Sequence, residues 1–414
     1  MAHKTLVGGT AYNVAGGRSM VSGTVYNVAG GRTLVEGTGY NVSFKKTIYA
    51  MLYSSGNLIF QNNNSVISGE SLVAEYVDPT NFEDTDYQLT LPEGGMTGWI
   101  VLDNNTPWNG HIGSIYNVKF STKLKPKSIS NWFYEVTSLK SIDYNNLNLN
   151  LITNMSNAFY DCFQLTGSPV CGPNVVDMSG TYCYCVNLTG NPACGNNVTN
   201  MYWAYQCCYN LTGSPVCGVN VTNMCETYYQ CYNLTGSPVC GNKVTDMSAT
   251  YSGCSNLTGS PICGPNVTDM SSAYRNCYNL TGRAVCGPNV TSMAYAYYNC
   301  VNLTGIGDCY NKVTNMAYAY YNCLSSSYFD YGRLTIYIYS PNITNARNCF
   351  GNKRNSCQLI LTVPSNSTTF NTFTRSNTQS IVGNNITWTR QTIGGYNTWI
   401  NNQYNITIRL LEEF

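Results

Sequence analysis

Through the middle of the chain the apolar positions recur on a fixed beat. Methionine stands at Met155, Met178, Met201, Met224, Met247, Met270, Met293 and Met316, and cysteine at Cys162, Cys185, Cys208, Cys231, Cys254, Cys277, Cys300 and Cys323. Between them lies an aromatic series, Phe159, Tyr182, Tyr205, Tyr228, Tyr251, Tyr274, Tyr297 and Tyr320, and every series keeps one interval, that from Met155 to Met178. Met, aromatic and Cys are related as i, i+4 and i+7, the spacing of one face of a short helix. Each Met follows Asn154, Asp177, Asn200, Asn223, Asp246, Asp269, Ser292 or Asn315. Such residues cap helices by accepting a bond from an unpaired backbone N–H, so the pattern predicts eight helix starts. The next segment, for example NLTGSPVCG from Asn233 to Gly241, holds glycines and a proline that exclude helix and suit an extended strand with a turn. Each unit therefore reads helix, bend, strand, bend, and stacking buries the faces one unit leaves open. The predicted fold class is an α/β repeat solenoid of 23-residue coils, on the order of 40 Å long at one strand spacing per coil, with β-rich N-terminal and C-terminal regions.

The flanks lose this beat. Stepping back by the same interval from Met155, Cys162 and Leu165 reaches Trp132, Leu139 and Ile142, which predicts a diverged first coil in TKLKPKSISNWFYEVTSLKSID. Residues 333–366 drop the period but keep the composition, and the closing segment 367–414, rich in Asn, Thr and Ile, reads as β. At the start a 14-residue repeat, TLVGGTAYNVAGGR and its two successors, sets runs such as Thr10 to Val14 between glycine turns, which predicts successive hairpins. Strands are also expected in IYAMLYSSGNLIF and YQLTLPEGGMTGWIVL. The domain reading is 1–46 for attachment or oligomerisation, 47–114 a small β-rich domain, 115–324 the solenoid and 325–414 a β-rich cap.

The phrases LKPKSISNWFYEVTSLKSID and NLNLITNMSNAFYDCFQL, then the recurring VTNM or VTDM followed by an aromatic and Cys, resemble the BspA-like leucine-rich repeats of bacterial surface proteins. The resemblance covers roughly residues 115 to 365; here the strand segment LTGSPVCG is tighter and poorer in Leu than the family pattern. The N-terminal repeat, with SPNITNARNCF, LILTVPSNSTTF and SIVGNNITW, resembles proteins encoded in phages and prophages of Gram-positive bacteria, where such a solenoid is similar to a tail-associated or other virion-surface module.

Charge narrows the function classes. The 414 residues carry 21 Lys and Arg against 20 Asp and Glu, a formal +1, without a basic run for nucleic acid. Charged residues are only 10% while tyrosines number 35, so the surface must be neutral, polar and aromatic. MAHKTLVG lacks the apolar core of a secretory signal, and no run approaches a membrane span. Release by lysis, as from a virion, is therefore favoured over export to a cell surface.

Twenty cysteines raise the question of chemistry or scaffold. A second series falls at Cys171, Cys194, Cys217, Cys240, Cys263, Cys286 and Cys309, and Cys183, Cys207, Cys225, Cys349 and Cys357 complete the set. Buried reduced thiols packing as small hydrophobes are the favoured reading. Disulfides from Cys183, Cys207 and Cys225 are the alternative, and a metal site is disfavoured because Cys183, Cys185, Cys207 and Cys208 lack CxxC spacing and histidine partners. No cofactor is expected. The only histidines, His3 and His111, accompany no nucleophile pattern, and the carboxylates of the repeats, such as Asp161, Glu226 and Asp308, are scattered, so no enzyme activity is expected. The Asn-Leu-Thr sites at Asn187, Asn210 and Asn233 read as a stacked amide ladder.

Positions off the Met/aromatic/Cys face individualise the coils: Tyr202, Trp203, Tyr209, Tyr229, Tyr232, Arg275, Tyr278, Tyr295, Tyr298, Tyr318 and Tyr321. Tyrosine gives rigid amphipathic contact area with a hydrogen-bonding tip, as binding surfaces need; packing between coils is the plainer reading. The expected function is a bacteriophage virion structural protein, a tail fibre or other surface-displayed homo-oligomer, attached to other virion proteins through residues 1–46. It would present the solenoid to a bacterial surface glycan or protein. The alternatives are a bacterial cell-surface adhesin and, less favoured, a glycan depolymerase.

Overall fold

The computed structural model describes the strands within residues 3–41, residues 49–77, 83–84, 113–323 and 333–411, apart from 64, 122, 354–355 and 394–395. His111 and the segment YQLTLPEGGMTGWIVL lie outside the described residues.

The glycine-punctuated N-terminal repeats fold as three antiparallel hairpins: β1 (His3–Val7) with β2 (Thr10–Val14), β3 (Arg18–Val21) with β4 (Thr24–Asn27), and β5 (Arg32–Val35) with β6 (Thr38–Asn41). Next come β7 (Tyr49–Tyr53), β8 (Asn57–Gln61), β9 (Leu72–Val77), β10 (Glu83–Asp84), β11 (Asn117–Phe120), β12 (Leu124–Lys125) and β13 (Ser141–Asp143). Five of these form one sheet in the order β13-β11-β8-β7-β9. Its buried face delivers Phe60, which stacks on Phe120 at 5.2 Å and on Trp132 at 6.0 Å. The sheet thus covers the open apolar end of the repeat stack.

The repeats stack in parallel. Isolated parallel bridges link Ser128, Asn154, Asp177, Asn200, Asn223, Asp246, Asp269, Ser292, Asn315 and Asn345 in order. Each aromatic ring lies on the next, from Phe133 on Phe159 at 5.7 Å through Tyr228 on Tyr251 at 5.6 Å to Tyr320 on Phe350 at 5.7 Å. The first coil differs from the expected register. Ser128 pairs with Asn154, a longer step than that from Asn154 to Asp177, and the N–H of Ile129 bonds the Asn154 carbonyl as that of Met155 bonds Asp177. Ile129, rather than Trp132, is therefore the counterpart of Met155. The longer step moves Trp132 three residues past that role, where it stacks on Phe60. At the far end Asn315 pairs with Asn345, a longer step again.

The predicted helices are absent from the repeats, and this is the main correction. Among the described residues the one α-helix is α1 (Thr368–Phe373). In each Met-to-Cys segment alternate N–H groups serve different partners. Those of Ala158, Tyr160 and Cys162 bond carbonyls three residues back, at 3.0, 3.2 and 3.1 Å, while those of Met155, Asn157, Phe159 and Asp161 reach the next coil at 2.8–2.9 Å. A helix would spend all of these donors internally. Turning alternate peptides outward puts every fourth residue in the left-handed region, as at Asn157 and Asp161 (φ 52° and 58°) and at Trp203 and Cys207 (φ 58° and 59°). The residues expected to cap helices instead close turns: Asp177 Oδ1 accepts from Ser179 N at 2.9 Å and Asn223 Oδ1 from Cys225 N at 2.8 Å.

The extended segments form almost no strand ladder; among the described residues only the short β14 (Arg283–Ala284) and β15 (Gly305–Ile306) pair. Tyrosine hydroxyls serve their backbone instead. Tyr228 Oη donates to the Val216 carbonyl at 2.7 Å and accepts from the Val216 N–H at 3.1 Å. The same pair of hydrogen bonds joins Tyr182 to Val170, Tyr205 to Ala193, Tyr251 to Val239 and Tyr297 to Val285. Beyond the stack, β16 (Arg333–Tyr337), β17 (Gln358–Pro364), β18 (Thr389–Ile393), β19 (Tyr396–Asn401) and β20 (Ile406–Leu411) form a sheet ordered β16-β17-β20-β19-β18. One hydrophobic core runs from Ala50 to Ile408. The described chain is thus strand and turn with almost no helix, a stack of repeats with an aromatic ladder, and no closed barrel.

Candidate recognition surface

All twenty cysteines are free thiols. The first series is buried, and each Sγ donates to the carbonyl of the preceding coil's aromatic residue, as Cys231 does to Tyr205 and Cys254 to Tyr228 at 3.0 Å. Burial pushes these thiols well up, Cys231 and Cys277 among them, which makes them donors and not nucleophiles. Among the described residues no group of three or more His, Cys, Asp or Glu is placed to hold a metal ion. The Asn-Leu-Thr asparagines stack, Asn233 donating to Asn210 Oδ1 at 3.4 Å and Asn187 to the Phe163 carbonyl at 2.9 Å.

Trp203, Tyr295 and Tyr318 occupy left-handed positions of these turns, and none of the variable side chains belongs to the hydrophobic core that the Met, aromatic and Cys positions fill. The eleven sequence candidates separate into groups. Tyr202 stacks on Trp203 at 4.4 Å. Tyr209 stacks on Tyr232 at 5.1 Å, and partial burial, then the Cys207 thiol, pushes the Tyr209 phenol up to about 12. Tyr229 receives a bond from Gln230 Nε2 at 3.4 Å, and Tyr278 is exposed.

The other five converge. Tyr295 stacks on Tyr318 and Tyr298 on Tyr321, each pair at 4.8 Å, and the two columns stand 5.8–6.0 Å apart, a two-by-two platform of rings. Arg275, one coil earlier in the Tyr298 column, sets its guanidinium over both Tyr295 and Tyr298, at 5.7 and 5.5 Å. On the opposite edge Arg347 lies over Tyr318 at 5.9 Å. Both arginines are exposed, and among the described residues neither forms an ion pair. Nor does any of the four phenols have a hydrogen-bond partner among the described residues. Beside the platform Asn276, Asn299, Asn322 and Asn352 link by side-chain bonds of 2.6–3.1 Å, a rigid border. Such a surface offers ring edges, hydroxyl tips and two guanidinium forks held by cation–π contact.

Sequence reasoning missed Arg347, since the lengthened step from Asn315 to Asn345 hid its place; Asn345, in the capping position two before it, was the available signal. It also missed an aromatic and acidic patch at the first coils. Tyr134 stacks on Tyr160 at 4.9 Å, with Tyr184 edge-on at 6.0 Å. Glu135 and Asp161 are left-handed residues at matching places in consecutive coils, and burial, then the Glu135 charge, raises the Asp161 carboxyl. The lengthened step from Ser128 to Asn154 concealed this pairing. No helix is long and apolar enough to cross a membrane among the described residues. Compared with protein families, curated proteins and solved structures, the chain matches none.

Proposed function

We propose that the stack is a solenoid of the leucine-rich-repeat kind, similar to the BspA-like repeats but with turns in place of helices. In this reading the protein is a virion structural protein of a bacteriophage of Gram-positive bacteria, displayed as a fibre or decoration and acting without catalysis. It would dock through the hairpins of residues 1–46 and present the stack to the host cell surface. One observation carries the recognition role: the platform of Tyr295, Tyr298, Tyr318 and Tyr321 between Arg275 and Arg347. Four phenol hydroxyls without a hydrogen-bond partner and two guanidinium groups without an ion pair among the described residues, on a chain with only 10% charged residues, favour a contact surface whose polar tips the stacking between coils leaves unused.

The test is immuno-electron microscopy of lysate with an antibody against residues 116–414, paired with binding of the purified protein to host cells. Gold at a defined place on virus particles, and host binding lost in Tyr298→Ala/Tyr318→Ala while the fold persists, are the expected results. Gold on cell envelopes with bare particles would transfer the protein to the adhesin class. The pairing of Glu135 with Asp161 beside Tyr134 and Tyr160 favours one second reading, glycan depolymerisation. Turnover of host wall glycan by the wild type that disappears in Asp161→Asn would establish it.

A further inference from the structure

On another face of the stack an open groove of about 600 Å³ is lined by Thr222, Thr245, Thr268 and Thr291 with Asn266 and Asn289, and Lys243 and Lys312 stand at its two ends. Its volume lies within the usual range for small-ligand sites. The lining repeats once per coil because it is built from the residue two before each Met and the residue two before that. The floor is fixed: each Thr hydroxyl donates to the Thr carbonyl of the preceding coil, as Thr245 does to Thr222 and Thr268 to Thr245, at 3.2 and 3.0 Å. The edge is fixed too, Asn266 bonding the Asn242 carbonyl and Asn289 the Pro265 carbonyl, both at 2.8 Å.

Lysine replaces asparagine in this column only at Lys243 and Lys312, three coils apart, or about 14 Å at one strand spacing per coil. Each ammonium is held from one side by the asparagine of the preceding coil, Lys243 by Asn220 Oδ1 at 2.7 Å and Lys312 by Asn289 Oδ1 at 2.5 Å. An amide oxygen takes one of three ammonium protons and leaves the charge uncompensated, so two N–H donors at each end remain for a ligand. Among the described residues no carboxylate lines the groove. Asp246 and Asp269, one residue past Thr245 and Thr268, are engaged in turns with Ser248 N and Ser271 N at 2.8 and 2.7 Å.

We infer that this groove binds a linear acidic oligosaccharide lying along the stack, with its anionic groups at Lys243 and Lys312. Four coil positions set at the strand spacing suit a chain of sugar rings, whose own advance per ring in an extended glycan is similar. Threonine methyls and hydroxyl lone pairs meet the ring faces and ring hydroxyls, and the two lysines select for charge. The site is separate from the tyrosine platform and stands or falls independently of the virion reading.

The deciding experiment is an array of linear oligosaccharides in neutral, uronic-acid and phosphorylated forms, probed with the full-length protein, Lys243→Gln/Lys312→Gln and a control, Lys140→Gln, away from the groove. The wild type and the control should retain an acidic class over the neutral one, with affinity falling as salt rises. Whether carboxylate or phosphate spots light up identifies the anion. The double variant should lose at least about tenfold in affinity for acidic glycans with an unchanged circular dichroism spectrum. Equal retention of neutral and acidic glycans, retention of none, or an unchanged double variant would each overturn the inference.

Discussion

From Tyr182 to Tyr297 a single oxygen atom per coil decides how the extended segments are held. Tyr228 Oη satisfies both the N–H and the carbonyl of Val216, which the missing strand ladder would otherwise leave unpaired. Where the core ring is phenylalanine, the residue twelve positions back finds other partners: Leu147 N bonds the Tyr144 carbonyl, twelve before Phe159, and Ile338 N bonds Thr362, twelve before Phe350. Tyr228→Phe should therefore cost about 1–3 kcal/mol, read by urea unfolding, although it changes no apolar contact. The thiols add a pH dependence. Burial pushes Cys171 and Cys240 up to about 11 and Cys194 and Cys263 up to about 12, against about 8.5 for an unfolded thiol. Above that lower value the unfolded chain releases protons that the folded chain retains, which favours unfolding. Stability should be intact below about pH 8.5 and fall as pH rises toward the folded values of about 11 to 12, seen as a declining urea midpoint.

At the scale of the element, the inward positions were legible and the backbone was not. Met155, Phe159 and Cys162 are buried as their spacing predicts, because i, i+4 and i+7 satisfy a helix repeating every 3.6 residues or about that and a chain of four-residue turns almost equally well. The distinguishing signal lay at the second and sixth residues after each Met, where Asn157, Asp161, Gly180, Gly253, Asn276, Asn299 and Asn322 all have positive φ. Asn, Asp and Gly are the types that tolerate that region. Trp203, Glu226, Tyr295 and Tyr318 occupy it too, and these blurred the pattern at the very positions that build the candidate surface. Ala249, with φ 49°, separates the two conformations by sign. In a helix Ala→Gly destabilises by about 1 kcal/mol; in the left-handed turn Ala249→Gly should stabilise by about 0.5–1 kcal/mol, measured by thermal and urea unfolding.

Across the whole molecule, the contacts between coils repeat almost without change, and this sets what the chain tolerates. Tyr228 stacks on Tyr251 and Tyr251 on Tyr274, both at 5.6 Å. Cys254 bonds the Tyr228 carbonyl as Cys277 bonds that of Tyr251, both at 3.0 Å. Stability in such an array is close to a sum of coil and nearest-neighbour terms. Excising residues 247–269 joins Asp246 to Met270, the same dipeptide as the two it replaces. Tyr274 then stacks on Tyr228, and the Cys277 thiol meets the carbonyl that Cys254 had used. This variant should fold cooperatively, with a urea m value reduced by roughly one coil's share of buried surface. Excising 248–269 instead leaves Met247 as one extra residue between Asp246 and Met270. The longer steps from Ser128 to Asn154 and from Asn315 to Asn345 keep their extra residues outside the Met-to-Cys turns, whereas this one falls on the turn that Asp246 closes. The coils that follow keep their interval, so this chain should still unfold cooperatively but at a lower urea midpoint than the 247–269 excision, because the donors displaced at the joint lose their acceptors.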